Sequence, residues 1–134
     1  MEPATLLQNI YKCYREKRLA DMLELFHDNF RLIVTLPEDA PADEQRPRSK
    51  AETAIITHKF LEEYDILEFE PESLVVADGV ISTMTRARFR HRRTGNILDT
   101  TFEQTWRIAD GKALQLEQRH DVQTLAAFMN KNDP

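Results

Sequence analysis

The sequence predicts an α+β fold, with helices in the N-terminal half and a curved antiparallel sheet of four strands running from Leu67 to Asp121. Three observations predict it. Apolar residues recur at helical spacing in three stretches before residue 65 and at alternate positions after residue 66. Two Asp-Gly pairs, at 78–79 and 110–111, fall between alternating runs, where glycine accepts the positive φ of a tight hairpin connection. Under one register the large apolar side chains of these strands share a face, and a one-residue slip would bury arginines instead.

Residues 4 to 18 read as a first helix, with Leu6, Leu7, Ile10, Cys13 and Tyr14 on one face and Tyr11 at its edge. Residues 20 to 27 give a short second helix with Met22, Leu23 and Phe26 inward. Phe30, Leu32, Val34 and Leu36 then alternate, which reads as a first strand from Asn29 to Leu36, and its backward extension gives Asp28 the same inward parity. Residues 37–48 are rich in Pro, Ala, Asp and Glu and read as a long flexible loop, either a solvated connector or a flap over a pocket mouth. Ser49 with Glu52 three residues on is a capping-box signature for a third helix. Its buried stripe is Ile56, Phe60, Leu61 and Tyr64, and His58 falls on the opposite side. After the strands, residues 122 to 129 read as a short C-terminal helix started by Asp121.

Taking each Ala-Asp-Gly as a three-residue loop pairs Val76 with Val80 and Ile108 with Lys112, and an even-numbered loop through Gly95 pairs Phe89 with Thr100. The core face then holds Leu67, Phe69, Val75, Phe89, Phe102, Trp106, Leu114 and Leu116, among others. The outer face sets Glu68 against Arg88, Glu70 against Arg86 and Arg90 against Asp99, with one like-charge contact between Glu103 and Glu117. Leu74, Val76, Met84 and Ala113 interrupt that charged ladder.

The dry face also carries Thr83, Thr85, Thr100, Gln104, Gln118 and His120. The register sets Thr100 opposite His120, Phe102 opposite Gln118, Gln104 opposite Leu116 and Thr85 opposite Gln104. A buried unpaired amide costs roughly 1–3 kcal/mol, so the cluster either satisfies itself or lines a cavity. A small pocket between sheet and helices, bordered by Gln104, Gln118, Thr85, Thr100, Phe102, Trp106 and Phe89, is the economical reading. His120 is the member that exchanges protons near neutral pH, or else a structural histidine bonded to Thr100. Asp28 is the carboxylate of inward parity, a catalytic candidate or a turn cap. Asp121 stands at a helix start, where capping uses the same carboxylate. Tyr14 is either a hydroxyl donor into the cavity or amphipathic core.

Composition bounds the function. The 134 residues fit one domain, and 41% hydrophobic with 31% charged content is ordinary for a globular protein. A net charge of −5 argues against a nucleic-acid surface, since the one basic run, Arg86 to Arg93, is mostly neutralised across strands. The single cysteine, Cys13, excludes an internal disulfide and suits a cytoplasmic protein, and no apolar run reaches the length of a membrane span. The four histidines and one cysteine lack metal-ligand spacing, the three glycines sit in turns rather than a phosphate loop, and no serine elbow is present, so no metal and no cofactor is expected.

Two segments carry a family resemblance: DMLELFHD from Asp21 to Asp28, and WRIADGK from Trp106 to Lys112, followed by DVQTLAA from Asp121. With the order of elements, nearly the whole chain resembles the nuclear-transport-factor-2-like superfamily, in its SnoaL-like and ketosteroid-isomerase-like branches. That resemblance implies an α+β cone whose sheet wraps the helices around a pocket, and a homodimer through the outer sheet face. Ketosteroid isomerases use an aspartate base with a tyrosine and a protonated aspartate as oxyanion hole. The tyrosine matches Tyr14, but Leu36 and Pro37 stand where the base would lie. SnoaL-like cyclases use a late aspartate, for which Asp121 is the match, beside His120 and Gln118. The function expected is a pocket for a small hydrophobic molecule. The alternative is an acid–base isomerase, dehydratase or cyclase on a small carbonyl, steroid-like or polyketide-like compound, with His120, Asp28, Asp121 and Tyr14 as its catalytic set.

Overall fold

The computed structural model describes residues 1–35, 46–119, 127, 128 and 131. Helix α1 spans Pro3–Arg15, α2 Leu19–Glu24, and α3 Lys50–Glu63. The strands are β1 Phe26–Val34, β2 Arg48–Ser49, β3 Tyr64–Ala77, β4 Val80–His91, β5 Ile97–Ala109 and β6 Lys112–Arg119. They form one curved sheet in the order β2-β1-β6-β5-β4-β3. The sheet is mixed rather than antiparallel throughout, because β1 runs parallel to β6 and joins the long hairpins to the N-terminal half. The two-residue strand β2, opposite Arg31 and Leu32, falls at the end of the stretch expected as loop. Most of the 37–48 loop, His120, Asp121 and most of the C-terminal helix lie outside the described residues.

Local chemistry explains the elements. Pro3 opens α1 at a position where its missing N–H costs nothing. Lys17, at φ 60, ends that turn. Ser49 accepts from the Glu52 amide at 3.2 Å, and Glu52 returns the bond to the Ser49 amide, so the capping box starts α3 as expected. His58 is exposed beside Glu62, also as expected. Ile56, expected in the buried stripe, is 48% exposed.

The Asp-Gly hairpins are tighter than a three-residue loop. Asp78 and Gly79, at φ 50 and 74, and Asp110 and Gly111, at φ 54 and 73, all occupy the left-handed region that a two-residue type I′ turn requires. Ala77 therefore pairs with Val80, and Ala109 with Lys112. Bulges correct the register further along. In β3 the pairing shifts around Leu67 and Glu72, and in β6 around Leu114. Leu67 and Val75 consequently turn to solvent, Ile66 and Leu74 pack against the core instead, and Leu114 is only half-buried. Ala113, expected outside, is fully buried.

The core face of β4 and β5 matches the expectation: Ile81, Ala87, Phe89, Leu98, Phe102 and Trp106 are buried with Leu6, Leu7, Ile10 and Tyr11 of α1. Glu68 faces Arg88 and Glu70 faces Arg86 as expected. Asp99 faces Arg88 rather than Arg90 and bonds Arg86, while Arg90 reaches Asp65 at 2.9 Å. Glu103 lies opposite Arg119, so the expected like-charge contact with Glu117 does not form. Among the described residues no helix is long and apolar enough to cross a membrane.

Candidate functional site

The curved sheet and the helices that close over it leave a cavity of about 320 Å³ among the described residues. Six phenylalanines, Phe26, Phe30, Phe60, Phe69, Phe89 and Phe102, are the commonest residue type in its wall, with Ile10, Met22, Leu32 and Leu116 among the other apolar members. Aromatic contacts hold the wall in place: Phe26 stacks on Phe30 at 4.2 Å, and Phe60 meets Phe89 edge-on at 5.0 Å. Ile56 and Thr57 of α3 border it where Ile56 is half-exposed, which marks the mouth.

One corner of the cavity is polar. Tyr11, on the buried side of α1, places its hydroxyl 2.8 Å from Thr85 Oγ1 and 3.4 Å from Thr83 Oγ1, and donates to Gln104 Oε1. Gln104 Nε2 in turn donates to Gln118 Oε1 at 2.8 Å. Gln104 faces Gln118 directly across β5 and β6, two positions from the expected pairing with Leu116. Thr83 and Thr85, 2.9 Å apart at the back of this chain, are 3% and 0% exposed. The buried polar cluster thus largely satisfies itself, which is what burial of so many amides and hydroxyls demands. Trp106 Nε1 is the exception: it is buried and has no hydrogen-bond partner among the described residues.

Both cavity tyrosines stay protonated. Burial pushes the Tyr11 hydroxyl above its ordinary pKa, against its bonds to Thr83 and Thr85. Burial alone raises Tyr14, a half-buried residue that borders the cavity, as well. Tyr14 packs edge-on against Phe69 at 4.8 Å, and its hydroxyl has no hydrogen-bond partner among the described residues.

The sequence-derived candidates separate accordingly. Gln104, Gln118, Phe102, Trp106, Phe89 and Tyr14 line the cavity. Thr85 sits behind Tyr11, in the hydrogen-bond chain rather than on the wall, and Thr100 is a half-buried residue opposite Ala87 that does not reach the wall. Asp28 is not inward. A register irregularity between Phe26 and Arg31 breaks the alternation of β1, so the Asp28 side chain is 95% exposed, 3.7 Å from the Lys50 ammonium. His120 and Asp121 lie outside the described residues. Tyr11, at the centre of the polar corner, was assigned only to the edge of the α1 stripe; its i, i+4 relation to the fully buried Leu7 is the signal that finds it. No described cavity-lining residue is a carboxylate, an imidazole or a permanent cation. Of the other histidines, His91 is buried at the β4–β5 connection with Nδ1 3.0 Å from Thr94 Oγ1, and His27 meets the exposed Asp110 at 3.2 Å, both away from the cavity. Among the described residues no group of three or more His, Cys, Asp or Glu is placed to hold a metal ion.

Several solved structures share this architecture. IdmH, a "putative polyketide cyclase" from Streptomyces antibioticus, is similar at 17% identity and TM-score 0.79, covering 97% of this chain and 99% of its own. A "putative isomerase" from Bacillus subtilis is similar at 14% identity and TM-score 0.80, covering 95% and 91%. AclR, a "putative hydroxylase" from Streptomyces galilaeus, is similar at 12% identity and TM-score 0.75, covering 97% and 96%. At such identities the likeness is one of fold. No curated protein matches the chain. The family model of the SnoaL-like domain matches residues 7–116, which hold α1 from Leu7 onward, α2, α3 and every wall of the cavity except Gln118, and the chain therefore belongs to the SnoaL-like domain family.

Proposed function

We propose that this SnoaL-like domain binds a small, mostly apolar molecule in the cavity beneath its sheet. One observation carries the reading: a space of about 320 Å³ walled by six phenylalanines, with hydrogen-bonding groups gathered at a single corner. Such a site favours a ligand that is apolar over most of its surface and polar at one end. The described wall holds no group that changes protonation near neutral pH, since both tyrosines are held protonated by burial. Binding is therefore supported ahead of acid–base turnover, which would draw on His120 or Asp121.

The test is thermal unfolding against a panel of hydrocarbons, decalones, steroids and polyketide-like acids, with emission from Trp106, the single tryptophan, as a second readout. A ligand at 100 times its dissociation constant adds roughly 2.7 kcal/mol of stability. A panel in which no member shifts either the melting temperature or the Trp106 emission would overturn the proposal. Association of two copies through the outer sheet face belongs to the same reading. With Ala113 and Leu74 turned to the core, the exposed large apolar residues of the sheet are Leu67, Val75, Val76, Met84 and Ile97, and molar mass by light scattering tests the association.

A further inference from the structure

The polar corner of the cavity has a direction. Thr83, Thr85 and Tyr11 have hydroxyl protons that turn to suit either neighbour, with oxygens 2.9 and 2.8 Å apart along the chain. Primary amides do not have that freedom, because one end only accepts and the other only donates. Tyr11 donates to Gln104 Oε1, and Thr85 Oγ1 reaches the same oxygen at 3.2 Å. Gln104 must then present Nε2 to Gln118, and Gln118 must receive it with Oε1, as it does at 2.8 Å. What is left at the end of the chain is Gln118 Nε2. It carries N–H donors with no partner among the described residues, on a half-buried side chain in the cavity wall.

We propose that Gln118 selects the ligand, an uncharged apolar molecule whose polar end is a hydrogen-bond acceptor such as a ketone or ester carbonyl, and that Tyr11 is a positioning residue acting through Gln104. This rests on the cavity-binding reading above. In the observed arrangement, turning the Gln118 amide to face an alcohol or amine donor would set two N–H groups against each other unless Gln104 turned as well, giving up the acceptor that Tyr11 and Thr85 share and reversing the hydroxyl protons behind it. A carboxylate is the wrong acceptor, because the described wall offers no cation to offset its burial.

Decalin, 2-decalone and 2-decalol, titrated while following Trp106 emission, separate the two proposals. Gln118→Leu is expected to weaken 2-decalone roughly three- to tenfold while leaving decalin within about twofold, the size of one neutral hydrogen bond. Gln118→Glu, which replaces the donor by an acceptor, is expected to weaken 2-decalone further and to turn the preference toward 2-decalol. Tyr11→Phe, which removes the donor to Gln104 Oε1, is expected to narrow the 2-decalone to decalin ratio. Should that variant fail to fold, the side-chain amide resonances of Gln118 in the wild type decide, shifting with 2-decalone and not with decalin. Binding of all three compounds with ratios that Gln118→Leu leaves unchanged would overturn the donor assignment and leave the cavity reading standing. Absence of binding by all three would overturn both.

Discussion

Tyr11→Phe removes one oxygen and nothing else. The ring keeps its edge contact with Phe69 at 4.8 Å and its tilted contact with Trp106 at 6.2 Å, so packing is nearly conserved. What is lost is the donor to Gln104 Oε1 and the partner of Thr85, both in residues 2% or less exposed. A neutral hydrogen bond contributes about 1 kcal/mol net, and a buried group left without its partner costs about 1–3 kcal/mol. Thr83 and Thr85 still bond each other at 2.9 Å, and Thr85 still reaches Gln104, which holds the loss to about 2 kcal/mol. At roughly 2 cal/mol/K of unfolding entropy per residue, that lowers the melting temperature by about 7 °C for a chain of this length. The control is Tyr14→Phe, which takes a hydroxyl without a described partner from the same helix and is expected to change stability by less than about 0.5 kcal/mol. Melting followed by circular dichroism measures both. Equal effects at the two positions would refute the assignment of Tyr11 as the polar centre of the core.

Three further outcomes are expected. Asp65 is held down to about 2 by the Arg90 guanidinium first and by the Lys17 ammonium next, where its usual value is 3.8. A folded pKa below the unfolded one stabilises above the unfolded value, so that contribution is present above about pH 4 and is lost as pH falls toward 2. Asp65→Asn should flatten the acid limb of a melting-temperature profile over that window, and superimposable profiles would contradict it. Gly79→Ala places a Cβ 3.4 Å from the Ile108 carbonyl on a backbone at φ 74, so a loss of about 1–2 kcal/mol is expected in urea unfolding, against a smaller loss for Gly111→Ala, where the space is open. Asp28→Ala, at an exposed position beside Lys50, should leave both melting and ligand titrations unchanged, and a lost ligand response would return Asp28 to the site.

Much of the fold was legible because burial repeats where geometry repeats. The alternation in β4, from Ile81 to His91, survives intact in the structure, and the capping box at Ser49 and Glu52 forms as its residues require. Irregular backbone was not legible in the same way. Leu67 carries no glycine or proline mark of a bulge, and Pro71, which does mark the one at Glu72, does not say which way the register moves; each bulge absorbs one residue of β3, and the parity of the strand changes on either side. Between Glu68 and Pro71 the expected pairing is nevertheless the observed one, because the extra residue assigned to the Ala77 turn has the same effect on register as the bulge at Glu72. The parallel pairing of β1 with β6 joins segments about 80 residues apart and left no local signature at all.

At the site the same two irregularities act in the opposite sense. The turn at Asp110 is one residue shorter than a three-residue loop, and the β6 bulge at Leu114 adds a second offset in the same direction. Two such shifts restore parity, so Gln104, Trp106, Leu116 and Gln118 all face inward as the sequence indicates, but each partner moves by two. Gln104 thereby exchanges an apolar neighbour, Leu116, for an amide, Gln118. That exchange decides the chemistry of the corner. Against leucine, the Gln104 amide would have kept a free N–H; against Gln118 it becomes an internal link, and the open donor in the cavity wall moves to the next strand. The facing list was readable from period alone, whereas which amide keeps its N–H groups without a partner among the described residues depended on where a single strand slips by one residue. A substitution that closes the bulge, pairing Leu114 with Arg107, should therefore leave one offset uncompensated, set Glu117 opposite Gln104 and turn Leu116 and Gln118 out of the cavity, so that lining and ligand response change together.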